Sequence, residues 1–198
     1  MPADAPPLRA ILVADAKVAH HRPRSDLPFY AADVTEGQTV ADLGCGNGRV
    51  SLQLAEAVGE TGRVFCRDIS AGRIADLKEE AAAAGLHNVD IAVSRRADVM
   101  LPKNSVDAAL LADVYQFVIN QHETKNAFLE SLHDCVKPGG VIVVVYARSS
   151  HLLDKDRRES INRQTLNDFI AYGLIPGRRW SFEDERFPAQ ILEFKKPE

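Results

Sequence analysis

Two groups of residues carry the clearest chemistry: Asp42-Leu43-Gly44-Cys45-Gly46-Asn47-Gly48 and, 24 positions after Gly44, Asp68. Glycines at i, i+2 and i+4 let the backbone turn sharply and let a ligand touch main chain. The third glycine of a dinucleotide fingerprint would fall at Arg49, and an acid at Asp42 does not suit a pyrophosphate. A Gly-Lys-Ser/Thr phosphate loop is absent. An acid just before the glycines suits a ligand with a cationic part, such as an ammonium group. A carboxylate at Asp68, ending the next strand, can accept from both hydroxyls of a ribose. Together these residues describe a nucleoside with an amino-acid-like tail and no phosphate.

A second group, Asp113-Val114-Tyr115-Gln116-Phe117, closes a later apolar strand, and His122 follows it. Tyr115 either hydrogen-bonds a substrate or packs beneath it. His122 is either a general base or a surface residue. Cys45, Cys66 and Cys135 form no CxxC pair, which removes zinc-ribbon and thioredoxin-like chemistry. The basic groups His20-His21-Arg22-Pro23-Arg24, Arg157-Arg158 and Arg178-Arg179 read as solvated surface, the first being placed to reach a substrate.

These groups need a scaffold, and the chain alternates to provide one. Strands are expected over residues 39–43, 63–68, 89–93, 107–113 and 141–147. Helices are expected over 49–58, 70–84, 124–136 and 163–172. Ser70 is a good N-cap, Gly59 and Gly85 are stops, and Pro138-Gly139-Gly140 is read as the break before the fifth strand. Near-continuous apolar strands imply burial on both faces, as in a parallel sheet covered by helices. Two further strands, 178–182 and 190–194, are joined by the short link 184–188, which suits an antiparallel hairpin. The expected architecture is therefore α/β: a doubly wound, mostly parallel seven-stranded sheet with helices on both faces and a C-terminal antiparallel hairpin. Residues 1–34 are expected to form an N-terminal segment, with a helix over 8–18 and residues 8–30 either a lid over the ligand or an arm packed on the back of the sheet, and residues 35–198 the single ligand-binding domain.

Of the 198 residues, 45% are apolar and 26% charged, and the net charge is −4. That mix is globular, and the slightly acidic balance argues against general binding to nucleic acid or anionic membrane. The longest apolar run, residues 141–147, is far too short for a membrane span, and Met1-Pro2-Ala3-Asp4 does not open a signal peptide. A cytoplasmic protein is expected.

Val40-Ala41-Asp42-Leu43-Gly44-Cys45-Gly46-Asn47-Gly48 closely resembles the first motif of class I S-adenosylmethionine (SAM)-dependent methyltransferases. Val64-Phe65-Cys66-Arg67-Asp68-Ile69-Ser70 resembles their second-strand motif. Leu101-Pro102-Lys103-Asn104-Ser105-Val106-Asp107 resembles the entry to their fourth strand, and Val136-Lys137-Pro138-Gly139-Gly140 the turn before the fifth. The resemblance implies a Rossmann-like methyltransferase fold with the seventh strand between the fifth and sixth. It implies SAM as cofactor, held by Asp42, Gly44, Cys45, Gly46, Gly48, Asp68, Ile69, Asp98 and Asp113. The glycines would line the methionine part and Asp42 would face its amino group. Asp68 would bind the ribose, Ile69 would lie against the adenine, and Asp98 would accept from its amino group. Ala97 stands where a glycine usually precedes that acid, and Arg67 where a small apolar residue is common. Arg67 is read as reaching the surface or the substrate. Tyr115 and His122 are the catalytic candidates.

Methyl transfer from a sulfonium needs mainly alignment, so a missing base motif does not argue against activity. The expected function is methyl transfer to a small-molecule acceptor, since no large insertion or extra domain is present. The alternatives are a non-catalytic SAM-fold module, which Gln116 in place of a common histidine favours, and a methyltransferase for protein or RNA. Arg49 and Asp42 disfavour an NAD-type oxidoreductase.

Overall fold

The computed structural model describes residues 34–146, 155–182 and 189–198. The helix expected over 8–18, the lid over 8–30, the basic group at 20–24 and the link 184–188 lie outside the described residues.

Strand β1 (Thr39–Leu43) leads into helix α1 (Arg49–Val58), and β2 (Arg63–Asp68) into α2 (Ala71–Ala83). Strand β3 (Val89–Val93) is followed by β4 (Val106–Ala112) with no helix between them. A short helix α3 (Tyr115–Val118) and a longer α4 (His122–Cys135) precede β5 (Val136–Tyr146). Helix α5 (Lys155–Ala171) and strands β6 (Ile175–Phe182) and β7 (Ala189–Lys195) complete the order.

The seven strands lie in the order β3-β2-β1-β4-β5-β7-β6. Strands β1 to β5 pair in parallel, while β7 is antiparallel to both β5 and β6. The seventh strand does sit between the fifth and sixth. Alternation along β4 shows why both faces must be covered. Ala109 and Leu111 join Phe65, Phe128, Leu132 and Phe169 on the α4–α5 side. Ala108 and Leu110 join Leu54, Val58, Ile74 and Leu77 on the α1–α2 side. Each fully buried Leu or Ile contributes about 1.5–3 kcal/mol, so losing either layer would expose an apolar sheet face.

Several boundaries differ from the sequence expectation. The fifth strand begins at Val136, not at residue 141, and runs through Pro138-Gly139-Gly140. Gly139 adopts φ +76, and its N–H bonds to Lys196 O, so the expected break is absorbed as an irregularity within the strand. Helix α4 starts two residues before residue 124, and α5 starts eight residues before 163. The extra turns of α5 hold Asp156, Arg157 and Glu159, a polar run without apolar periodicity. Strand β4 ends at Ala112, leaving Asp113 outside it with φ +55.

Because β2 and β3 lie on one side of β1, and β4 and β5 on the other, a crevice opens beyond the C-terminal ends of β1 and β4. Gly48, the residue before α1, has φ +88, and a Cβ there would lie 1.9 Å from Leu77 Cδ1. Gly48→Ala is therefore expected to lose about 2–5 kcal/mol through left-handed strain plus overpacking. Urea denaturation of the variant beside the parent protein measures it.

Candidate functional site

The glycine loop is held by backbone bonds from the neighbouring strand. The N–H groups of Gly44 and Cys45 both donate to Arg67 O, at 2.6 and 3.1 Å. Gly44 and Gly46 have φ +76 and +58, which side-chain-bearing residues rarely adopt. Asp68 completes the frame: its Oδ2 accepts from Gly46 N at 2.9 Å and its Oδ1 from Ser70 N at 2.8 Å. Ser70 caps α2, its hydroxyl accepting from Arg73 N at 3.5 Å. One carboxylate thus ties the glycine loop to the start of α2.

Behind the loop, Asp42 is buried and its Oδ2 accepts from Ser51 Oγ at 2.6 Å. Burial is the largest influence and pushes its carboxyl up to about 6; the Ser51 bond opposes this and the Asp68 carboxylate adds to it. Burial likewise pushes the Cys45 thiol far above its ordinary range and the Cys66 thiol to about 12, so neither is a ready nucleophile.

A cavity of about 380 Å³ opens beyond the strand ends. Gly44, Arg67 and Asp68 line its strand side. Ile69, Arg73, Ser94, Arg95 and Arg96 line one flank, and Val99, Asp113, Val114, Phe117, Val118, Gln121, Thr124 and Phe128 the other. Of the expected cofactor residues, Gly44, Asp68, Ile69 and Asp113 meet at this cavity, and Gly46 adjoins it through Asp68. Asp42 stands behind the loop, and Cys45 and Gly48 belong to the loop without lining the cavity. Asp98 is not in the wall: its Oδ1 accepts from Met100 N at 2.7 Å and Ser131 Oγ at 3.0 Å, so it organises the turn after β3.

Neither expected catalytic side chain reaches the cavity. Tyr115 is fully buried and its hydroxyl donates to Asp168 Oδ2 at 2.9 Å, while Lys125 holds Oδ1 at 2.7 Å. Burial, then the Asp168 bond, keep that phenol protonated well above its ordinary range. His122 is exposed at the start of α4. Arg67 does not reach the surface. Its side chain is 7% exposed, pairs with Asp90 Oδ1 at 2.9 Å and donates to Asp90 O at 2.6 Å. Its guanidinium lies 5.3 Å from the Phe65 ring centre. The sequence reading missed Val99, Phe128, Arg73, Arg95 and Arg96 as wall residues, since their types mark only core or surface until the fold brings them together.

The arrangement fits a nucleoside with a cationic amino-acid tail. Each Asp68 oxygen keeps a second lone pair for a hydroxyl. Ile69 presents a half-exposed apolar side chain to the same cavity. A Cβ on Gly46 would meet nothing within 4 Å, so space for a ligand lies against that backbone.

The family model described as "Methyltransferase domain" matches residues 34–186. The chain belongs to this methyltransferase-domain family, in the class of SAM-dependent methyltransferases, whose cofactor is S-adenosylmethionine. A SAM-dependent methyltransferase from Aquifex aeolicus superposes with a TM-score of 0.68 at 20% identity, covering 97% of this chain and 99% of that one. Demethylmenaquinone methyltransferase of Geobacillus stearothermophilus is 30% identical over 111 residues, 56% of this chain and 46% of its own length. A ubiquinone/menaquinone biosynthesis C-methyltransferase of Pseudoalteromonas translucida is 27% identical over 147 residues, 74% of this chain and 54% of its own. The chain thus spans about half the length of these curated relatives. Among the described residues, no helix is long and apolar enough to cross a membrane.

The Asp42 carboxyl gives a pH test. Its folded value, about 6, lies above its ordinary 3.8, so the folded state holds this proton more tightly. Stability from this group is greatest below about pH 4 and falls as pH rises through 6. Asp42→Asn is expected to remove that fall, roughly 3 kcal/mol from the shift itself. Denaturation curves from pH 4 to 8, subtracted between parent and variant, read it directly.

Proposed function

We propose that this chain transfers a methyl group from S-adenosylmethionine to a small-molecule acceptor of the quinol kind. The carrying observation is Asp68, a carboxylate in the cavity wall at the end of β2, fixed by Gly46 N and Ser70 N. The acceptor class rests on the names of the curated relatives, which are quinone-pathway methyltransferases.

Asp68 would accept from the ribose hydroxyls, and Ile69 would cover one face of the adenine. The backbone of Gly44, in the cavity wall, and of Gly46, which faces open space, would run beside the methionine part, with the buried Asp42 carboxylate behind the loop attracting its ammonium group. Asp98, turned toward Ser131, is left to shape the loop rather than to read the base. When bound, the cofactor supplies a methyl group already activated by sulfonium charge, so the protein's share is alignment and exclusion of water. Asp113 stands at the end of β4 with φ +55, an uncommon backbone state for an aspartate that marks a constrained position. It lines the cavity.

Gln116, where a histidine is common, is the one feature that leans toward a second reading, a SAM-binding module without turnover. Product formation from a panel of phenols and quinols separates the two, and a panel with protein and RNA acceptors tests the remaining alternative.

Calorimetry with SAM and its demethylated product tests the cofactor site. Asp68→Ala is expected to weaken binding about 10- to 100-fold, the worth of charge-assisted bonds of roughly 1.5–3 kcal/mol. An unchanged dissociation constant would remove Asp68 from the ribose site. Gly46→Ala is expected to cost only about 1–2 kcal/mol in stability, since the Cβ meets no atom, yet to weaken SAM binding by filling ligand space. Stability lost without loss of affinity would show that no ligand approaches that backbone.

A further inference from the structure

The flank of the cavity beside Ile69 carries three exposed arginines, Arg73, Arg95 and Arg96. Among the described residues, no carboxylate pairs with any of the three. The acids of the wall stand elsewhere. Asp68 is committed to Gly46 N and Ser70 N. Asp113 follows β4, which β1 and β2 separate from β3 in the sheet. The flank is therefore a concentration of positive charge that the fold itself does not use.

The backbone that carries Arg95 and Arg96 is fixed. Ser94 N donates to Asp68 O at 2.9 Å, tying the end of β3 to the end of β2. Arg95 N donates to Asp98 O at 3.1 Å and Asp98 N to Arg95 O at 3.4 Å, closing a tight turn with Arg96 inside it. Ser131 anchors the turn on α4: its hydroxyl accepts from Val99 N at 2.9 Å and donates to Asp98 Oδ1 at 3.0 Å. Asp98, the acid expected to accept from an adenine amino group, is thus engaged in holding the turn. The N–H groups of Ser94, Arg95, Asp98, Val99 and Met100 all have acceptors within the protein. Arg73 belongs to a different element, the first turn of α2, four residues after Ile69. The side chains of this flank are Ile69, Arg73, Ser94, Arg95 and Arg96. They offer a ligand three guanidinium donors, and the Ser94 hydroxyl is the one group among them able to accept.

We propose that this arginine flank reads the base of the cofactor by donating hydrogen bonds to it, Arg95 and Arg96 from the turn and Arg73 from α2, so that the site selects for acceptors on the base edge and not for the adenine amino group. The inference rests on the methyltransferase reading above, in which Asp68 takes the ribose and Ile69 covers the base. Adenine presents acceptors at its ring nitrogens and a donor at its exocyclic amine. Hypoxanthine keeps an acceptor at N7 and replaces the amine with a second acceptor, O6. A guanidinium fork matches an N7–O6 edge, as arginine matches guanine, whereas a carboxylate at the amine would match adenine and repel O6. With Asp98 withdrawn and donors in its place, the amine carries no advantage. A site that reads a group through a hydrogen bond rejects the analogue lacking that group, and a site without such a bond does not.

Calorimetry on the full chain tests this with two probes that differ only at the base: S-adenosylhomocysteine and its deaminated form, S-inosylhomocysteine. The inosyl form is expected to bind at least as tightly as the adenosyl form. Arg95→Ala and Arg96→Ala combined in one chain are expected to weaken the inosyl form about tenfold, the worth of a good arginine–base pair, and the adenosyl form by less. The melting temperature of that variant is expected to stay within about 1 °C of the parent, because exposed side chains that hold nothing in the fold have been removed. Arg73→Ala, on a separate element, is expected to weaken both forms about threefold and carries the test if the double variant does not fold. An inosyl form bound more weakly than the adenosyl form would show that an acceptor reads the amine, and would overturn the proposal. Affinities unchanged in both variants would make the arginines ordinary surface and overturn it equally. A parent that binds neither SAM nor S-adenosylhomocysteine would instead overturn the proposed function beneath it.

Discussion

The Asp68 carboxylate is the contact on which the site depends. Its two oxygens hold the Gly46 and Ser70 amides, which belong to the turns after β1 and β2. The glycine loop, otherwise held by the bonds from Gly44 and Cys45 N to Arg67 O, occupies left-handed backbone at Gly44, Gly46 and Gly48. A charged acceptor binding two amides is about twice as strong as neutral pairs, and in a 5% exposed position it is shielded from competing water. The group read as receiving the ribose is thus also the group that keeps the loop open.

Polar contacts elsewhere fix the two ends of the sheet. At the N-terminal ends of the strands, Asp107 accepts from Thr39 N at 2.8 Å and from Lys137 Nζ at 2.7 Å, linking β1, β4 and β5. On the other flank, Arg67 pairs with Asp90 and joins β2 to β3. Above β4 and β5, Asp168 accepts from Tyr115 and Lys125, so α3, α4 and α5 share one carboxylate. Replacing one partner of that group would leave a buried polar atom uncompensated, which costs more than the bond contributes. These three helices are therefore held by charge as well as by apolar packing.

Stability and function pull in opposite directions at this edge. Asp42 carries a carboxyl that burial pushes toward neutrality, and Asn162 keeps an amide without a hydrogen-bond partner among the described residues. Both weaken the unliganded fold. At Asp42, the ammonium group of the proposed cofactor would offset this, a pattern expected where local rules yield to binding.

Strand and helix identity was legible in the sequence wherever one residue's chemistry decided it. Ser70 caps α2, Gly85 ends it with φ +69, and the apolar period of β1, β2 and β3 matches their observed limits. Asp68 and the glycine loop were legible for the same reason: a motif beside a strand end carries its own geometry. The partners of Arg67, Tyr115 and Asp98 were not. Each has a side chain long enough or versatile enough to face several partners, and Asp90, Asp168 and Ser131, which captured them, are 23, 53 and 33 positions away. Asn162 was equally silent, since a polar residue in a polar helix gives no sign of burial until α5 lies across β5. Local sequence set the loop and its acid because backbone conformation is decided by neighbours in the chain. Which distant side chains line the cavity was decided by the sheet order, because only tertiary packing brings such residues within hydrogen-bond reach.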